Sequence, residues 1–141
     1  MPNIQIVLEH NATAEDVSLI ESAVDNFNMA VTGDYNWKPV HIFLRDEAGQ
    51  LYGGLTAHLW GKWMHIQYLW VDESLRKQGY GEKLIEMAEA EARAHGCQNA
   101  HVETFSFQAR PFYEKLGYII IAELPDYPPG HRQYMLRKRL A

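Results

Sequence analysis

Leu69-Trp70-Val71-Asp72-Glu73-Ser74-Leu75-Arg76-Lys77-Gln78-Gly79-Tyr80-Gly81 is the stretch on which the reading of this chain turns. A strand ends in it, a basic loop follows, two glycines come next and a long helix starts. Glycines let the backbone approach a ligand closely and turn its N–H groups inward. A helix N-terminus adds four unpaired N–H groups and a partial positive charge. Together these suit a phosphate or pyrophosphate, and Arg76 and Lys77 add mobile positive charge beside it. A P-loop is excluded because Gly-Lys-Ser/Thr is absent. A dinucleotide fingerprint would want a third glycine where Leu84 stands, at the start of a doubly wound parallel sheet whose second repeat is not visible. What remains is Arg-x-x-Gly-x-Gly behind an antiparallel meander. By itself such a glycine pair reads equally well as a tight turn.

Upstream, residues 40–44, Leu51–Trp60 and Trp63–Val71 read as the three strands of that meander, joined by Asp46-Glu47-Ala48-Gly49 and by a Gly61-Lys62 turn. Ahead of them, residues 4–8 read as a first strand. Val17, Ile20, Val24 and Phe27 recur at helical spacing, which predicts an amphipathic helix over 14–28 with Asn11 and Thr13 as caps. Residues 29–38 read as irregular. Downstream come a helix over 81–95 with Gly96 as its cap, a strand over 100–105, a short helix over 109–116 and strands over 118–124 and 133–138. The order β-α-β-β-β-α-β-α-β-β is mixed α/β (an α+β mixed sheet), with a mostly antiparallel sheet, flanking helices and one βαβ crossover.

The 141 residues make one domain, spanning 1–141. At 47% hydrophobic and 22% charged residues, the chain is too apolar to be disordered. Its one cysteine, Cys97, allows no internal disulfide and fits a reducing compartment. No Lys or Arg precedes Lys38, which argues against a secretory signal, and residues 119–122 fall far short of the ~20 apolar residues of a membrane span. The expectation is a cytoplasmic protein without membrane contact. A net charge of −5 argues against nucleic acid as a partner. The charge is uneven, with −6 over the first 37 residues and +4 over the last ten. The acidic front is either a solvated helix face or a surface for a cationic partner. The seven histidines make no recognisable metal site, and no Cys/His pair has zinc-finger spacing, so no metal is expected.

The second signal is Gln108-Ala109-Arg110-Pro111-Phe112-Tyr113-Glu114-Lys115-Leu116-Gly117-Tyr118. Phe112, Leu116 and Tyr118 read as core. Tyr113 is polar-tipped and falls beside the expected cleft. With both segments in view, the chain resembles the GCN5-related N-acetyltransferases (GNAT superfamily), and within it a small bacterial single-domain type. Residues 76–81 match the acetyl-CoA signature Arg/Gln-x-x-Gly-x-Gly/Ala, residues 109–118 match the A-x-x-F-Y-x-x-x-G-F/Y segment, and the element order fits over essentially the whole chain.

The resemblance implies a fold in which the fourth and fifth strands splay and the pantetheine arm of acetyl-CoA lies between them. Backbone groups of Leu69 and Val71 would pair with that arm, and the Leu69 N–H would polarise the thioester carbonyl. Arg76 and the backbone N–H groups of Lys77, Gln78, Gly79, Gly81 and Glu82 would hold the pyrophosphate. Ser106 stands where the family often has an asparagine against the pantetheine. Arg110 would reach a CoA phosphate or remain a solvated charge. Tyr113 matches the tyrosine that serves as general acid to the departing thiolate, a role worth ~10²–10⁴ in rate.

Two residues compete as the base that takes the ammonium proton. His65 lies four residues before Leu69, on the same strand face if the period of two holds; it reads equally as a hydrogen-bonded strand histidine. Glu103, on the next strand, is the other candidate. The expected activity is N-acetyl transfer from acetyl-CoA to a primary amine by direct attack in a ternary complex. Cys97 sits just past a helix end and takes no part. In the fold that the resemblance implies, the first helix, the loop after it and the loop between the last strands border the acceptor side; Asp34, Tyr35, Trp37, Asp126 and Tyr127 fall there, which favours a small cationic amine over a protein amine. A non-catalytic acyl-CoA sensor is the alternative, and a nicotinamide-dependent reductase suffers from the missing third glycine. Trp60, Trp63 and Trp70 read either as core or as a homodimer face.

Overall fold

The computed structural model describes residues 2–33 and 36–141. Contacts group them into two compact units, Met1–Tyr35 and Asn36–Ala141. Asp34 and Tyr35, assigned above to the acceptor side, lie outside the described residues.

In the first unit, helix α1 runs over Ala14–Thr32. It starts because the Thr13 hydroxyl accepts the Asp16 N–H at 3.1 Å, while Glu15 and Asp16 suit the positive end of the helix dipole. It ends at Gly33, whose N–H reaches the Met29 carbonyl at 2.8 Å. The helix outruns the expected 14–28 because Met29-Ala30-Val31-Thr32 contains no breaker. Residues 2–9 have no regular structure, so the strand expected over 4–8 is not formed. Alternating apolar residues supply one face of a strand, but a strand also needs a ladder partner. No residue of α1 is buried.

The second unit is a six-stranded sheet of order β1-β2-β3-β4-β6-β5. Its elements are β1 (Lys38–Arg45), β2 (Leu51–Trp60), β3 (Trp63–Val71), α2 (Tyr80–Ala94), β4 (Asn99–Phe105), α3 (Arg110–Lys115), β5 (Ile119–Pro125) and β6 (Arg132–Arg139). All pairs are antiparallel except β3 with β4, the two strands joined through α2. This is the mixed sheet and single crossover read from the sequence. No described helix is long and apolar enough to cross a membrane.

The core lies on one face of the sheet. Leu55, Ala57 and Leu59 of β2, Met64 and Ile66 of β3 and Ala100 and Val102 of β4 are buried there. They meet Leu84, Ile85, Ala88 and Ala92, the apolar stripe of α2. Tyr113 of α3 belongs to the same cluster. One carboxylate is also buried. Glu89 of α2 accepts the Tyr118 hydroxyl at 2.8 Å and the Lys138 ammonium at 2.9 Å. Part of the basic C-terminal strand therefore has a structural use, because Lys138 on β6 neutralises a charge inside the core.

Two irregularities in β3 position the site. Thr56 stands opposite Tyr68 but Ala57 stands opposite Ile66, so Gln67 is an extra residue, a β-bulge. The bulge reverses which side chains face the core. Met64 and Ile66 point in before it, and Leu69 and Val71 pack against the core after it. The second irregularity is that β3 and β4 pair only from Trp63 opposite Asn99 to Ile66 opposite Val102. Beyond that point the strands part, which is the splay expected of the fourth and fifth strands. They are the third and fourth strands here, since the expected first one is not formed.

Candidate active site

A cavity of about 850 Å³ opens where β3 and β4 part. His65, Leu69, Val71 and Arg76 line it from β3 and the loop after it, Gly81 from α2, Glu103 and Thr104 from β4, and Phe112 and Tyr113 from α3. Seven residues singled out in the sequence therefore meet in one place: His65, Leu69, Val71, Arg76, Gly81, Glu103 and Tyr113. Lys77, Gln78, Gly79, Glu82 and Ser106 are not among the lining residues.

The glycine turn has the conformation its sequence requires. Lys77 and Gly79 both take positive φ, 63° and 82°, a region in which only glycine is unstrained. Gly79 precedes α2, and no side chain caps the helix there. The first N–H groups of α2 are thus left for a ligand. At Gly81 a Cβ would stand 3.3 Å from the Phe112 ring, so the missing side chain also lets α2 and α3 approach. The Arg76 guanidinium is turned back, with Nε donating to the Val71 carbonyl at 3.0 Å.

Tyr113 is 4% exposed and its ring is wedged edge-on between Phe112 and Tyr118, at 5.2 and 5.7 Å. Its hydroxyl has no hydrogen-bond partner among the described residues. Among the described residues no buried polar side-chain atom lacks one, so this hydroxyl opens into the cavity. Burial pushes its phenol up to about 12. It therefore stays protonated across the whole working range, but it is a weaker acid than the pKa of ~10 expected from the residue type.

His65 and Glu103 are a pair. His65 Nε2 and Glu103 Oε2 are 2.8 Å apart, and both side chains are about a quarter exposed. An ionised carboxylate only accepts, so Nε2 carries the proton and the lone pair is left on Nδ1. The two base candidates thus form one unit, with Glu103 orienting the ring. The face assignment from the sequence needs correction. His65 and Leu69 are four residues apart, but the bulge at Gln67 lies between them and puts their side chains on opposite faces of β3. Both still line the cavity, because it cuts through the gap between the strands.

Further imidazoles surround the pair. His101 stands opposite His65 across the β3–β4 ladder and stacks on it at 4.2 Å and 4°. His58 stands opposite His65 on β2 and meets it edge-on at 5.2 Å. Desolvation first, then the like charge of His65, lower the pKa of both His58 and His101. His58 and His101 are therefore harder to protonate than a free imidazole. Donor atoms of His65, His101 and Glu103 lie within 4.8 Å of one another, the spacing of a metal site. Ring nitrogens offer their lone pairs in the ring plane, however, and two parallel stacked planes do not converge on one ion. Sequence reasoning missed this row, because only strand register brings His58, His65 and His101 together.

Other expected groups are occupied elsewhere. The Ser106 hydroxyl accepts the Arg132 N–H at 3.1 Å and lies 3.3 Å from His131 Nδ1, fastening the end of β4 to the loop before β6. Arg110 pairs with Glu114 at 3.0 Å and lies over the Tyr134 ring at 4.6 Å. Gln108, not anticipated, lines the cavity and accepts the Phe105 N–H at 3.0 Å. Cys97 is buried, which raises its thiol pKa. Trp60, Trp63 and Trp70 are all partly exposed, so none of them is core.

A strand pair splayed over a cavity, with a glycine turn leading into a helix and a tyrosine aimed inward, has counterparts among known proteins. The sequence pattern of the Acetyltransferase (GNAT) family matches residues 9–118. The chain belongs to that family. It is 47% identical over 95 residues to a blasticidin-S acetyltransferase of Streptomyces morookaense, covering 67% of this chain and 70% of that protein. It is 33% identical to acetyltransferase Atu2258 of Agrobacterium fabrum, covering 96% of this chain and 99% of that protein. The crystal structure of an acetyltransferase from Bacillus cereus superposes with a TM-score of 0.82 at 34% identity, over 94% of this chain and 97% of that one. This GNAT protein is an acetyltransferase, and its mixed sheet is the GNAT sheet.

Proposed function

We propose that the protein transfers the acetyl group of acetyl-CoA to the primary amine of a small cationic acceptor, by direct attack in a ternary complex. The observation that carries this is the Tyr113 hydroxyl, which opens into the cleft between β3 and β4 without a protein partner. Its placement there suits a departing sulfur. The glycine turn after β3 and the uncapped start of α2 suit the pyrophosphate, with N–H groups of Lys77, Gln78, Gly79, Gly81 and Glu82 as its partners and Arg76 as a nearby cation. Backbone groups of Leu69 and Val71, past the bulge, suit the pantetheine arm and the thioester carbonyl. Ser106 has the weakest support, since its hydroxyl is already engaged.

His65 Nδ1 takes a proton from the ammonium, directly or through water, and Glu103 holds the resulting imidazolium. The freed amine lone pair forms the C–N bond, the C–S bond breaks with its electron pair leaving on sulfur, and the second nitrogen proton passes to that thiolate, so that the products are the amide and the free CoA thiol. Tyr113 donates a hydrogen bond to that sulfur as charge builds. At about 12 against a thiol of ~8.5, it does not release its proton ahead of bond cleavage. This differs from the matched acid expected from residue type, and the reason is burial.

Small-molecule acceptors are favoured by the relative named for blasticidin S. A cationic one is favoured by the six acids and no base in the first 37 residues. The test is free-thiol release from acetyl-CoA over a panel of cationic, neutral and acidic amines. Turnover on cationic amines is expected. Acetyl-CoA binding with no turnover on any amine would favour a sensor instead.

The pH profile gives a second check. A hydrogen-bond donor whose pKa is raised to about 12 is still present at pH 10. Burial by folding therefore predicts a kcat plateau from pH 8 to 10 that shows no tyrosine ionisation. A fall in kcat with a midpoint near 9 that vanishes in Tyr113→Phe would contradict it.

A further inference from the structure

The plane of the sheet divides the cavity into two halves of different chemistry. β3 and β4 part after their last pair, Ile66 with Val102. The extra Gln67 shifts the count by one, so Tyr68 falls level with Glu103 and Trp70 with Phe105. Leu69, Val71 and Thr104 face the core, on the side of Tyr113. Tyr68, Trp70, Glu103 and Phe105 alternate with them and face the other way, as His65 does. All of these residues line the cavity.

The second half holds aromatic faces that the acetyl transfer itself does not use. Tyr68 and Trp70 are 78% and 50% exposed, and neither ring meets another ring among the described residues. Phe105, across the gap, is held in place. Phe107 stacks on it at 5.5 Å and 12°, and Tyr127 leans on it at 5.6 Å. Ligand clefts are walled in this way, with aromatic surface and few polar groups. Charge is scarce here. Glu103 is the one carboxylate among the described lining residues, and it is committed to His65. A second positive charge on an acceptor would therefore find no free acid on this wall.

From this half of the cleft we infer that the acceptor is an amine carried on a flat, uncharged aromatic ring. The ring lies between Trp70 and Phe105, with Tyr68 beside it, and the amine reaches back to His65. Flat faces reward a flat partner, since stacking needs parallel π surfaces in close contact. Four ladder steps separate Trp70 from His65, roughly 13 Å of strand. Ring and amine are therefore joined by a linker of several atoms. Trp70 and Phe105 set specificity and take no part in bond making. The direction of the amine rests on the function proposed above; the ring slot does not.

The test is binding to the full chain in the presence of CoA, read by calorimetry so that no turnover is needed. The probes are 4-phenylbutylamine, 4-cyclohexylbutylamine and 1,4-diaminobutane, which share amine and linker. The phenyl amine is expected to bind about tenfold tighter than the cyclohexyl amine, the size of one stacked aromatic pair. Diaminobutane is expected to bind weakest. Trp70→Leu should bring the two ring amines within about threefold, and Trp70→Phe should keep their order. Phe105→Leu reads the same ratio from the other wall. Equal binding of the two ring amines to wild type, tightest binding of diaminobutane, or no binding of any probe would overturn the proposal. So would a loss in Trp70→Leu that falls equally on both ring amines, because the indole would then meet the ammonium rather than the ring. Ring-selective binding in a protein that releases no thiol with any amine would refute the proposed function alone. Thiol release with aliphatic amines and no ring preference would overturn the ring slot alone.

Discussion

Tyr113→Phe is expected to lower kcat by about 10²- to 10³-fold and leave the KM for acetyl-CoA nearly unchanged. The size is that of removing one aimed hydrogen-bond donor from a developing charge, ~2.7–4 kcal/mol of barrier. The effect belongs in kcat because the hydroxyl meets the sulfur only as the C–S bond breaks. Folding is not at stake. The hydroxyl has no protein partner, and phenylalanine keeps the ring contacts with Phe112 and Tyr118. Steady-state kinetics and a urea melt on the same preparation separate the two. A loss below threefold in kcat, or a loss matched by unfolding, would remove Tyr113 from the chemistry.

The largest stability effect is expected at Glu89. Glu89→Ala leaves the Tyr118 hydroxyl unpaired in the core and strips Lys138 of its counter-charge. Removing one partner of a buried pair costs ~3–5 kcal/mol, because the other charge remains desolvated. Tyr118 reports the same environment from the other side. Desolvation first, then the Glu89 charge, hold its phenol far above the tyrosine range. Folded-state tyrosine pKa values above the unfolded ~10 mean that stability is intact below pH 10 and declines as pH rises past it. Tyr113 and Tyr118 both act in that direction. The check is the urea midpoint of wild type, Glu89→Ala and the double variant Glu89→Leu/Lys138→Met. The double variant should recover most of the loss, since apolar replacement of a whole pair is tolerated. A single-variant cost under 1 kcal/mol would mean that water reaches the site.

The central part of the fold was legible because its signals are local. β2 and β3 were placed to the residue, since an alternating pattern bounded by Gly61-Lys62 leaves little choice. The α2 start was marked by the glycine pair, and Tyr113 by its aromatic neighbour and the closing Gly117. What escaped was what two segments decide together. The His65–Glu103 pair was read as two rival bases because β3–β4 register is not written in either strand. The bulge at Gln67 has no marker such as glycine, so the face of Leu69 was misassigned. The expected first strand failed for the same kind of reason: residues 4–8 have the pattern of a strand, but no partner is written beside it. The use of Lys138 in the basic C-terminal strand is likewise not local, since its carboxylate stands 49 positions earlier in the chain.

Gln67 also bears on how this sequence can change in length. In a loop, losing one residue shortens a connection and leaves everything else in place. In β3, losing Gln67 would turn every side chain from Tyr68 to Val71 over, sending Leu69 and Val71 out of the core and Tyr68 and Trp70 into it. One deletion would then act as four simultaneous core substitutions. Relatives that keep this cleft should vary in length at the Asp46–Gly49 turn or around residues 126–130 and keep β3 at a constant count. The extra residue is the means by which a single strand serves the core with one half and the imidazole row with the other.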